Sequence, residues 1–575
     1  MRRIFCFRII LLVAILCITT NVTAQLSTNE KPFSFDREDE LVIKQRHANQ
    51  SVILPDLDMK KIEQEDYEDK DNKLPPRFGF RHKVNYNLNN SGTWYELPNG
   101  DKLWQLEVTC PNALSIGICY DKFWLPEGAK FFTYSKDKKQ SLGAFTSRNN
   151  KGDREQPRGF ATGMIFTSNI VLEYYQPKEI DKDAIISIEY VVHGYRYVNW
   201  GILSPGNAGD CMINVNCEDG QDWQDEKKAV AMVAVENFKY CTGSLINTTD
   251  FSEAPLFLTA NHCVCDLKDA ETDPNLDQTI FYWNYETTSC LNDSLNPIYT
   301  TSSATILANH SFSDFALLRL SEDPKELPDY TPYYLGWDVT GQAGEPGVCI
   351  HHPLGDTKKI SFVANQPYPA TYIGMAIDEN MDHWCITSWE TRYNRHGVVE
   401  RGSSGSPLFN ASHKVIGQLH GGMSKCSDGT KGPDWFGRLS CAWYGDDNPY
   451  IPNTIYKHLN CWIDSLGTGK ETLEGLLVIC GVRTYTTNRN LFSNIRIART
   501  GRLTIQSEIE MMGNSIIIVE AGGVLTIDGG IISNADIILK EGAMLRVING
   551  GIIRTRNALK APVGTIIEVK YGKIE

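Results

Sequence analysis

The sequence lacks a long apolar run beyond its first residues, and it lacks an excess of positive charge. No segment after residue 25 has the ~20 consecutive apolar residues that a transmembrane helix needs. The 575 residues carry a formal net charge of -14, whereas nucleic-acid binding needs a basic face that neutralises phosphates. These absences exclude a transmembrane helix after residue 25 and argue against nucleic acid as a main partner.

The N-terminus has the pattern of a secretory signal peptide over residues 1–24. Two arginines precede an apolar run at residues 9–18, and small residues stand before an expected cut after Ala24. We therefore expect a secreted protein, located outside the cell or at its surface. A lipoprotein anchored through Cys17 is the alternative, although Leu16 stands where such anchors have a small residue.

A second close pair of cysteines is also missing, which bears on metal binding. Cys263 and Cys265 have the spacing of two zinc ligands, but no other pair completes such a site, so we expect no metal. Of the sixteen cysteines, Cys6 and Cys17 would leave with the signal peptide. The even number that remains in an exported chain predicts disulfides.

Composition and hydrophobic patterning divide the rest of the chain into five segments. Residues 25–74 are polar and acid-rich, which predicts a flexible leader. Short alternating stretches broken by turns predict a β-sandwich over residues 75–205. Residues 206–466 hold most of the cysteines and every catalytic signal, and residues 467–485 are expected to be a linker to a repeat region over 486–575.

Two cysteines, Cys110 and Cys119, fall within the segment that predicts a β-sandwich. Because no other cysteine lies in that segment, we expect these two to pair with each other.

The repeat region has a period of about twenty residues. Its recurring triplets are Gly522, Leu525 and Ile527, then Gly542, Leu545 and Val547, then Gly564, Ile567 and Val569. Short strands between glycine or asparagine turns at this period predict a small β-solenoid, which buries apolar side chains only by stacking its rungs. No titratable cluster recurs with the repeat, so we expect a spacer, display or sorting module that contacts the cell surface or the secretion machinery.

His262 is the candidate general base in residues 206–466. Peptide hydrolysis at neutral pH needs a nucleophile and a base that takes its proton. An isolated histidine is more often structural, but His262 follows the small residues 259–261 and precedes Cys263. A disulfide from Cys241 to Cys263 would clamp the loop that presents it.

Ser404 is the candidate nucleophile, because it lies in the run Gly402-Ser403-Ser404-Gly405. Glycines permit backbone conformations that are closed to bulkier residues, so the amides of Gly402 and Ser404 can point into one pocket as an oxyanion hole. A glycine-serine linker is the alternative. Strand-like apolar residues follow at 407–409, which favours a folded site.

Asp314 is the candidate third member, since it lies between the other two in sequence and at the start of an apolar strand. There its carboxylate can hydrogen-bond the imidazole and fix its tautomer. A turn-capping aspartate is the alternative. The order His, Asp, Ser differs from the orders of α/β-hydrolases and subtilisins.

With these residues in place, the sequence resembles the chymotrypsin clan and, within it, the bacterial lysyl endopeptidases. The resemblance also rests on the blocks at 241–245, 282–285, 336–338, 350–353, 402–407, 417–422 and 437–438. It implies a chymotrypsin-like double β-barrel with a cleft between the barrels over residues 206–466. With the β-sandwich-like pro-region before it and the β-solenoid after it, we expect a mainly β chain. The implied activity is that of a serine endopeptidase that forms an acyl-enzyme on protein or peptide substrates and needs no cofactor.

The resemblance also implies three disulfides: Cys211–Cys426, Cys217–Cys290 and Cys241–Cys263. It leaves the pairing open for Cys265, Cys349, Cys385, Cys441, Cys461 and Cys480. The family carries the pair His351-His352 without a metal, so we interpret that pair as structural.

Specificity is implied by Asp434, which matches the family's acid at the base of the primary pocket and predicts cleavage after Lys or Arg. A solvated loop aspartate is the alternative. His420 matches a histidine that in the family stacks on a tryptophan near the cleft. Residues 362–365, where that tryptophan would lie, contain none, and Trp384 or Tyr372 are the candidate substitutes.

Activation is implied to differ from that of animal trypsin-like zymogens, whose new amino terminus pairs with an aspartate just before the nucleophile. Ser403 occupies that position here. The region before residue 206 is instead implied to be a removable pro-segment, with Arg196 as a candidate cut. A catalytically inactive surface adhesin stays the alternative function, although a binding scaffold has no physical need for a complete triad.

Overall fold

The protein is mainly β in the computed structural model. The model describes residues 30–37, 41–46, 51–71, 74–196, 208–265, 276–292, 294–374, 381–392, 395–429, 431–444, 458–557 and 559–575. The predicted signal peptide over 1–24 lies outside these residues. Within the described ranges, no helix has both the length and the apolar character needed to cross a membrane.

The N-terminal third forms a β-sandwich. Its strands β1 to β11 are Val42–Arg46, Ser51–Ile53, Gly79–Asn87, Thr93–Glu96, Lys102–Thr109, Ser115–Trp124, Lys130–Ser135, Ser141–Phe145, Phe160–Ala161, Asn169–Gln176 and Ile185–Gly194. One sheet has the order β1-β4-β5-β10-β7-β8 with β2 beside β5, and the other has the order β3-β11-β6-β9. Alternation in β5 turns Leu106 and Val108 into the interior, as expected for a sheet with one covered face.

The leader predicted to be flexible over 25–74 contains an ordered helix, α1, at Met59–Asp71. Ile62 on this helix is buried. Asp66 is also buried and lies 2.9 Å from Arg77 and 2.6 Å from Arg196. The prediction of a flexible segment was wrong for this helix, because Arg77 and Arg196, which lie outside it, neutralise Asp66. Local composition does not reveal such a pairing.

The pairing expected between Cys110 and Cys119 is also wrong, because both residues are free thiols. Cys110 packs inside the sandwich. In β6, Ile118 and Tyr120 face that interior, so strand alternation turns Cys119 to the opposite face, where it packs against Met232.

The middle of the chain forms two antiparallel sheets. Its strands β12 to β29 are Ile213–Asn214, Val230–Val235, Lys239–Leu245, Leu256–Ala260, Ile280–Trp283, Tyr299–Ser302, Ala304–His310, Phe315–Leu320, Tyr333–Tyr334, Trp337–Asp338, Pro346–His351, Lys359–Phe362, Tyr368–Ala370, His383–Ser388, Pro407–Asn410, Val415–Gly422, Lys431–Arg438 and Thr472–Leu473. The N-sheet has the order β17-β16-β13-β14-β15-β19-β18, and the C-sheet has the order β12-β23-β22-β26-β27-β28-β25-β24. The helices α2, α3 and α4 are Asn261–Val264, Leu439–Tyr444 and Asn460–Ile463. This arrangement agrees with the two-barrel fold implied by the sequence.

Strand β13 shows how the sandwich and the N-sheet are joined. All six of its residues are buried, because both of its faces are covered. Val233 and Val235 belong to the central core, whereas Met232 and Ala234 pack against side chains of the sandwich. The N-sheet therefore presents an apolar outer face that the sandwich covers.

The C-terminal region is a parallel β-solenoid, as predicted. Its strands β30 to β42 are Gly475–Ile479, Val482–Tyr485, Arg489–Leu491, Ser493–Ile497, Arg502–Ile505, Glu508–Met511, Ile516–Val519, Val524–Asp528, Ile531–Leu539, Met544–Ile548, Ile552–Thr555, Ile566–Lys570 and Lys573–Ile574. Leu503, Leu525 and Leu545 stack in register and are fully buried. Rung-on-rung stacking thus supplies its core.

The linker predicted over 467–485 is wrong from Thr472 onward. Strand β29 pairs with β21, and β30 pairs with β20, so the first rung is hydrogen-bonded to the preceding module. All five residues of β30 are buried, and residues 476–479 all belong to the core that the preceding module and the solenoid share. Its sequence therefore lacks the alternation that marks the later rungs.

A buried ion pair gives a test of the sandwich contact. Lys151 of the sandwich lies 3.0 Å from Glu322, and both side chains are almost fully buried. We expect Lys151→Met to lower the free energy of unfolding by about 3 kcal/mol, because it leaves a buried carboxylate without its cation. Urea unfolding measures the change. Lys139→Met, at an exposed ion pair, is the control, and equal effects of both substitutions would contradict the prediction.

Candidate active site

The pairing of β15 with β19 brings His262 and Asp314 together. Ala260 at the end of β15 is opposite Phe315 at the start of β19, so the residues that flank this pair are neighbours. The backbone amide of His262 donates to Asp314 Oδ1 over 2.9 Å, and its ring Nδ1 lies 2.7 Å from Asp314 Oδ2. Two contacts from one residue fix the carboxylate against the imidazole.

Asp314 is buried, yet its carboxyl stays ionised. Burial alone would raise the pKa of Asp314, but His262, His420 and the hydrogen bonds from His262 hold that pKa below its ordinary value. A permanently charged carboxylate can keep the proton of a neutral imidazole on Nδ1 and leave Nε2 as the base.

Ser404 lies in the loop before β26, and this loop is docked on the N-sheet. The Thr242 amide donates to Ser404 O over 2.8 Å, and the Thr242 hydroxyl donates to Gly402 O over 2.9 Å. Cys263 Sγ lies 4.0 Å from His262 Nε2 and 3.9 Å from Ser404 O. The imidazole and the main chain of Ser404 therefore meet at the same sulfur atom.

Over residues 402–405, every second backbone amide of this loop donates a hydrogen bond. The Ser403 amide donates to Glu400 O and the Gly405 amide donates to Leu419 O. Within the part of the chain that the structure describes, the amides of Gly402 and Ser404 have no acceptor. Two unengaged amides in one short loop are the donors that an oxyanion requires.

The backbone of the loop depends on glycine at residue 402. Gly402 has a φ of +90°, and a Cβ there would lie 2.6 Å from the ring of Tyr240. Both the left-handed conformation and the close ring contact exclude a side chain.

His351 and His352 have hydrogen-bond partners that explain them structurally. His351 Nδ1 lies 2.7 Å from Ser403 Oγ, and its Nε2 lies 2.9 Å from Ser361 Oγ. Burial lowers the pKa of His351 to about 3, so the ring is neutral and can bridge two hydroxyls. His352 Nδ1 lies 2.9 Å from Asp356 O. The pair thus supports the loop that carries Ser404.

Asp434 lies on β28 and is fully buried. Its Oδ2 accepts from the Trp389 indole over 2.6 Å, and its Oδ1 accepts from the Ser424 amide over 3.2 Å. Both donors are neutral, and burial raises the pKa of Asp434 to about 6. The Ser424 hydroxyl donates to Val399 O, which joins this region to the segment leading toward Ser404. The arrangement contradicts a solvated loop aspartate.

His420 stacks on Tyr372, with ring centroids 3.6 Å apart. On its other side, its ring lies 5.6 Å from that of His262. Trp384 is engaged elsewhere, because its indole donates to Ile416 O. Of the two substitutes proposed for the family's tryptophan, the structure therefore places Tyr372 at the histidine.

Among the described residues, three disulfides form, and they are the three pairings that the resemblance implies. These are Cys211–Cys426, Cys217–Cys290 and Cys241–Cys263. The third ties the end of α2 to β14 and so fixes the helix that carries His262 against the strand on which the Ser404 loop is docked.

Within the described ranges, two groups of side chains have atoms close enough to bind one metal ion. One group with suitably close atoms is Cys241, His262 and Cys263, but its two sulfurs are joined in a disulfide. The other is His262, Asp314 and His420, whose first two members already hydrogen-bond each other.

Sequence reasoning missed two residues that lie beside His420, namely Asp382 and His383. His383 Nε2 lies 2.9 Å from His420 Nδ1, and its Nδ1 lies 2.5 Å from Asp382 Oδ1. Adjacent acid and histidine residues before a strand were a usable signal, but only the β25–β28–β27 pairing shows that they reach His420.

Part of the chain is similar in sequence to known proteases. Residues 205–437 match the family model described as lysyl endopeptidase, C-terminal domain. The lysyl endopeptidase of Pseudomonas aeruginosa is 34% identical over 238 residues, which are 38% of this chain and 47% of that protein. The chain thus spans about half the length of the curated relative it matches.

Solved structures of proteases are also similar. The Rv3671c protease of M. tuberculosis in its active form is 15% identical and covers 42% of this chain and 92% of its own, with a TM-score of 0.24. The thermostable serine protease AL20 from an extremophilic microorganism is 12% identical and covers 37% of this chain and 92% of its own, with a TM-score of 0.26. Both TM-scores are below 0.5, so the assignment of a protease module depends on the family model and on the relative that is 34% identical.

The tight contact at Gly402 gives a test of the loop. We expect Gly402→Ala to be about 1–3 kcal/mol less stable than Gly429→Ala, because its methyl group would overpack the Tyr240 ring. Gly429 is a matched control, since its φ is +72° but its Cβ direction is open. Equal melting temperatures for the two variants would contradict this account of the loop.

Proposed function

Because residues 205–437 form a lysyl endopeptidase-like serine protease module, we propose that the protein is a secreted endopeptidase that cuts after the basic residues Lys and Arg. The observation that carries the proposal is the buried His262–Asp314 hydrogen bond beside a serine loop with two unengaged amides. Each part of this arrangement has a use in peptide hydrolysis, and none is needed for binding alone.

The proposed reaction begins when Ser404 Oγ attacks the scissile carbonyl carbon while His262 Nε2 takes the hydroxyl proton. The negative oxygen that forms accepts hydrogen bonds from the amides of Gly402 and Ser404. Asp314 stabilises the imidazolium without taking its proton. His262 then protonates the leaving amine. A water molecule, deprotonated by the same nitrogen, attacks the acyl-enzyme, and His262 returns this proton to Ser404 Oγ as the acid product leaves.

The proposed specificity rests on Asp434. Its carboxylate is buried among neutral donors, so a substrate ammonium or guanidinium group would supply the missing positive charge. Substrates without a cation would leave that charge unpaired and bind less well. His420 and Tyr372 form an adjacent wall of the site in this proposal.

We further propose that the chain is a precursor whose N-terminal region blocks the cleft. The support is local: Arg401, next to Gly402, donates to Leu74 O over 2.8 Å. The Tyr240 amide donates to Pro76 O over 3.1 Å. Residues 74–76 thus contact both residues that pack on the Gly402 turn. Arg196, the candidate cut, is 42% exposed in its side chain, which gives a protease some access.

The solenoid is proposed as a module for display or sorting at the cell surface. Its buried columns are apolar, and the recurring positions carry no cluster of catalytic groups. Protein or peptide substrates would therefore be processed by the middle module alone, and no cofactor enters the proposed reaction.

The nucleophile is tested by Ser404→Ala. We expect the mature enzyme to lose activity on a lysyl peptide anilide by about 10⁶-fold, because only the oxyanion donors and binding would remain. Ser427→Ala, at an exposed serine, should leave turnover unchanged. Undiminished turnover in Ser404→Ala would refute the proposed reaction, and an inactive wild-type protein would favour a binding role.

The specificity carboxylate predicts a pH dependence for cation binding. Because Asp434 is protonated below its pKa of about 6, the affinity for 4-aminobenzamidine should rise as the pH increases through about 6. Fluorescence titration of the probe measures this dependence. Asp434→Asn should bind weakly with a flat profile, whereas the exposed Asp428→Asn should behave as the wild type. An unchanged profile in Asp434→Asn would place the cation site elsewhere.

A further inference from the structure

A second aspartate–histidine pair stands behind the proposed triad. Asp382 Oδ1 lies 2.5 Å from His383 Nδ1, and His383 Nε2 lies 2.9 Å from His420 Nδ1. His420 Nε2 in turn lies 3.7 Å from Asp314 Oδ2. Hydrogen bonds thus lead from Asp382 through His383 to His420, and the other ring nitrogen of His420 faces the carboxylate that holds His262.

The surroundings of this pair are buried and hydrogen-bonded. The His383 side chain is fully buried and that of Asp382 is 13% exposed. The Arg438 amide donates to Asp382 O over 2.9 Å, and its guanidinium donates to Met381 O over 2.9 Å. Arg438 therefore fixes the backbone from which the Asp382 carboxylate reaches the His383 ring.

Hydrogen-bond chemistry decides which ring nitrogens of His383 and His420 carry protons. A carboxylate only accepts, so His383 must donate to Asp382 from Nδ1. With the His383 ring neutral, its Nε2 carries a lone pair, and His420 donates to that lone pair from Nδ1. Burial lowers the pKa of His420 to about 4, so this ring is neutral at neutral pH and keeps Nε2 unprotonated.

We propose that Asp382 and His383 are positioning residues that hold His420 as the Nδ1–H tautomer. The charged and titratable groups around His420 in this arrangement are His383, Asp314, His262, Tyr372 and, through His383, Asp382. The inference rests on the proposed function, since its consequence concerns the triad.

As a consequence, the Asp314 carboxylate accepts a hydrogen bond from the His262 ring and none from the His420 ring. An Nε2–H on His420 would point a second donor at Asp314 Oδ2, the oxygen that already accepts from His262 Nδ1. The present separation of 3.7 Å is longer than a hydrogen bond, as expected when Nε2 carries a lone pair. The second pair therefore removes a competitor for the carboxylate that orients the general base.

The tautomer is measured by ¹⁵N NMR of histidine-labelled protein, with the His420 signals assigned by their loss in His420→Gln. We expect protonated Nδ1 in the wild type. Asp382→Asn should move the proton to Nε2, because the amide can donate to His383 Nδ1 and reverse both rings, while Asp382→Glu should keep the wild-type tautomer. Protonated Nε2 in the wild type would overturn the proposal even if the variants fail to fold, as would a folded Asp382→Asn with an unchanged tautomer.

Steady-state kinetics test the effect of the His420 tautomer on catalysis. Asp382→Asn should lower kcat on a lysyl anilide by about tenfold and leave KM nearly unchanged, a smaller loss than the ~10⁴-fold caused by this substitution directly beside a catalytic histidine. Asp428→Asn is the matched surface control. An unchanged kcat with a changed tautomer would overturn the catalytic consequence. A wild-type protein without peptidase activity would instead refute the proposed function, and the NMR result would stand apart from it.

Discussion

The docking of the Ser404 loop on strand β14 is the interaction on which the site depends. Thr242 binds Ser404 O through its amide and Gly402 O through its hydroxyl, and it is fully buried. The neighbouring Cys241 is tied to Cys263 beside His262. Residues 241–242 of the N-sheet therefore position both the Ser404 loop of the C-sheet and helix α2, which carries His262.

Two buried carboxylates in this module behave in opposite ways, and the difference follows from their neighbours. Asp314 faces His262, whose ring and backbone hydrogen bonds keep its pKa low in spite of burial. Asp434 faces neutral donors only, so burial raises its pKa to about 6. The first is therefore a charge that is always present beside the base. The second is a charge that is most stable when a cation enters, which suits a role in substrate selection.

Local sequence patterns were sufficient for the solenoid, whose repeat shows its fold within about twenty residues. The glycine-serine loop and the histidine before a cysteine are equally local patterns, and the structure brings them together at Cys263, while their catalytic roles stay predictions. Helix α1, the first solenoid rung and Cys119 were mispredicted because partners far away in sequence decide their state. Asp382 and His383 were missed for the same reason, since only sheet pairing brings them to His420. Tyr372 was foreseen as a candidate because the expected tryptophan was absent, which is a signal that sequence does contain.

The central claim is that Ser404 is a nucleophile activated by His262. Its most direct test is mass-spectrometric mapping of the adduct that a fluorophosphonate leaves on the mature protein. The account predicts one modified residue, Ser404, and loss of the adduct in His262→Ala. An adduct on another serine, or a Ser404 adduct that forms equally fast without the imidazole, would contradict it.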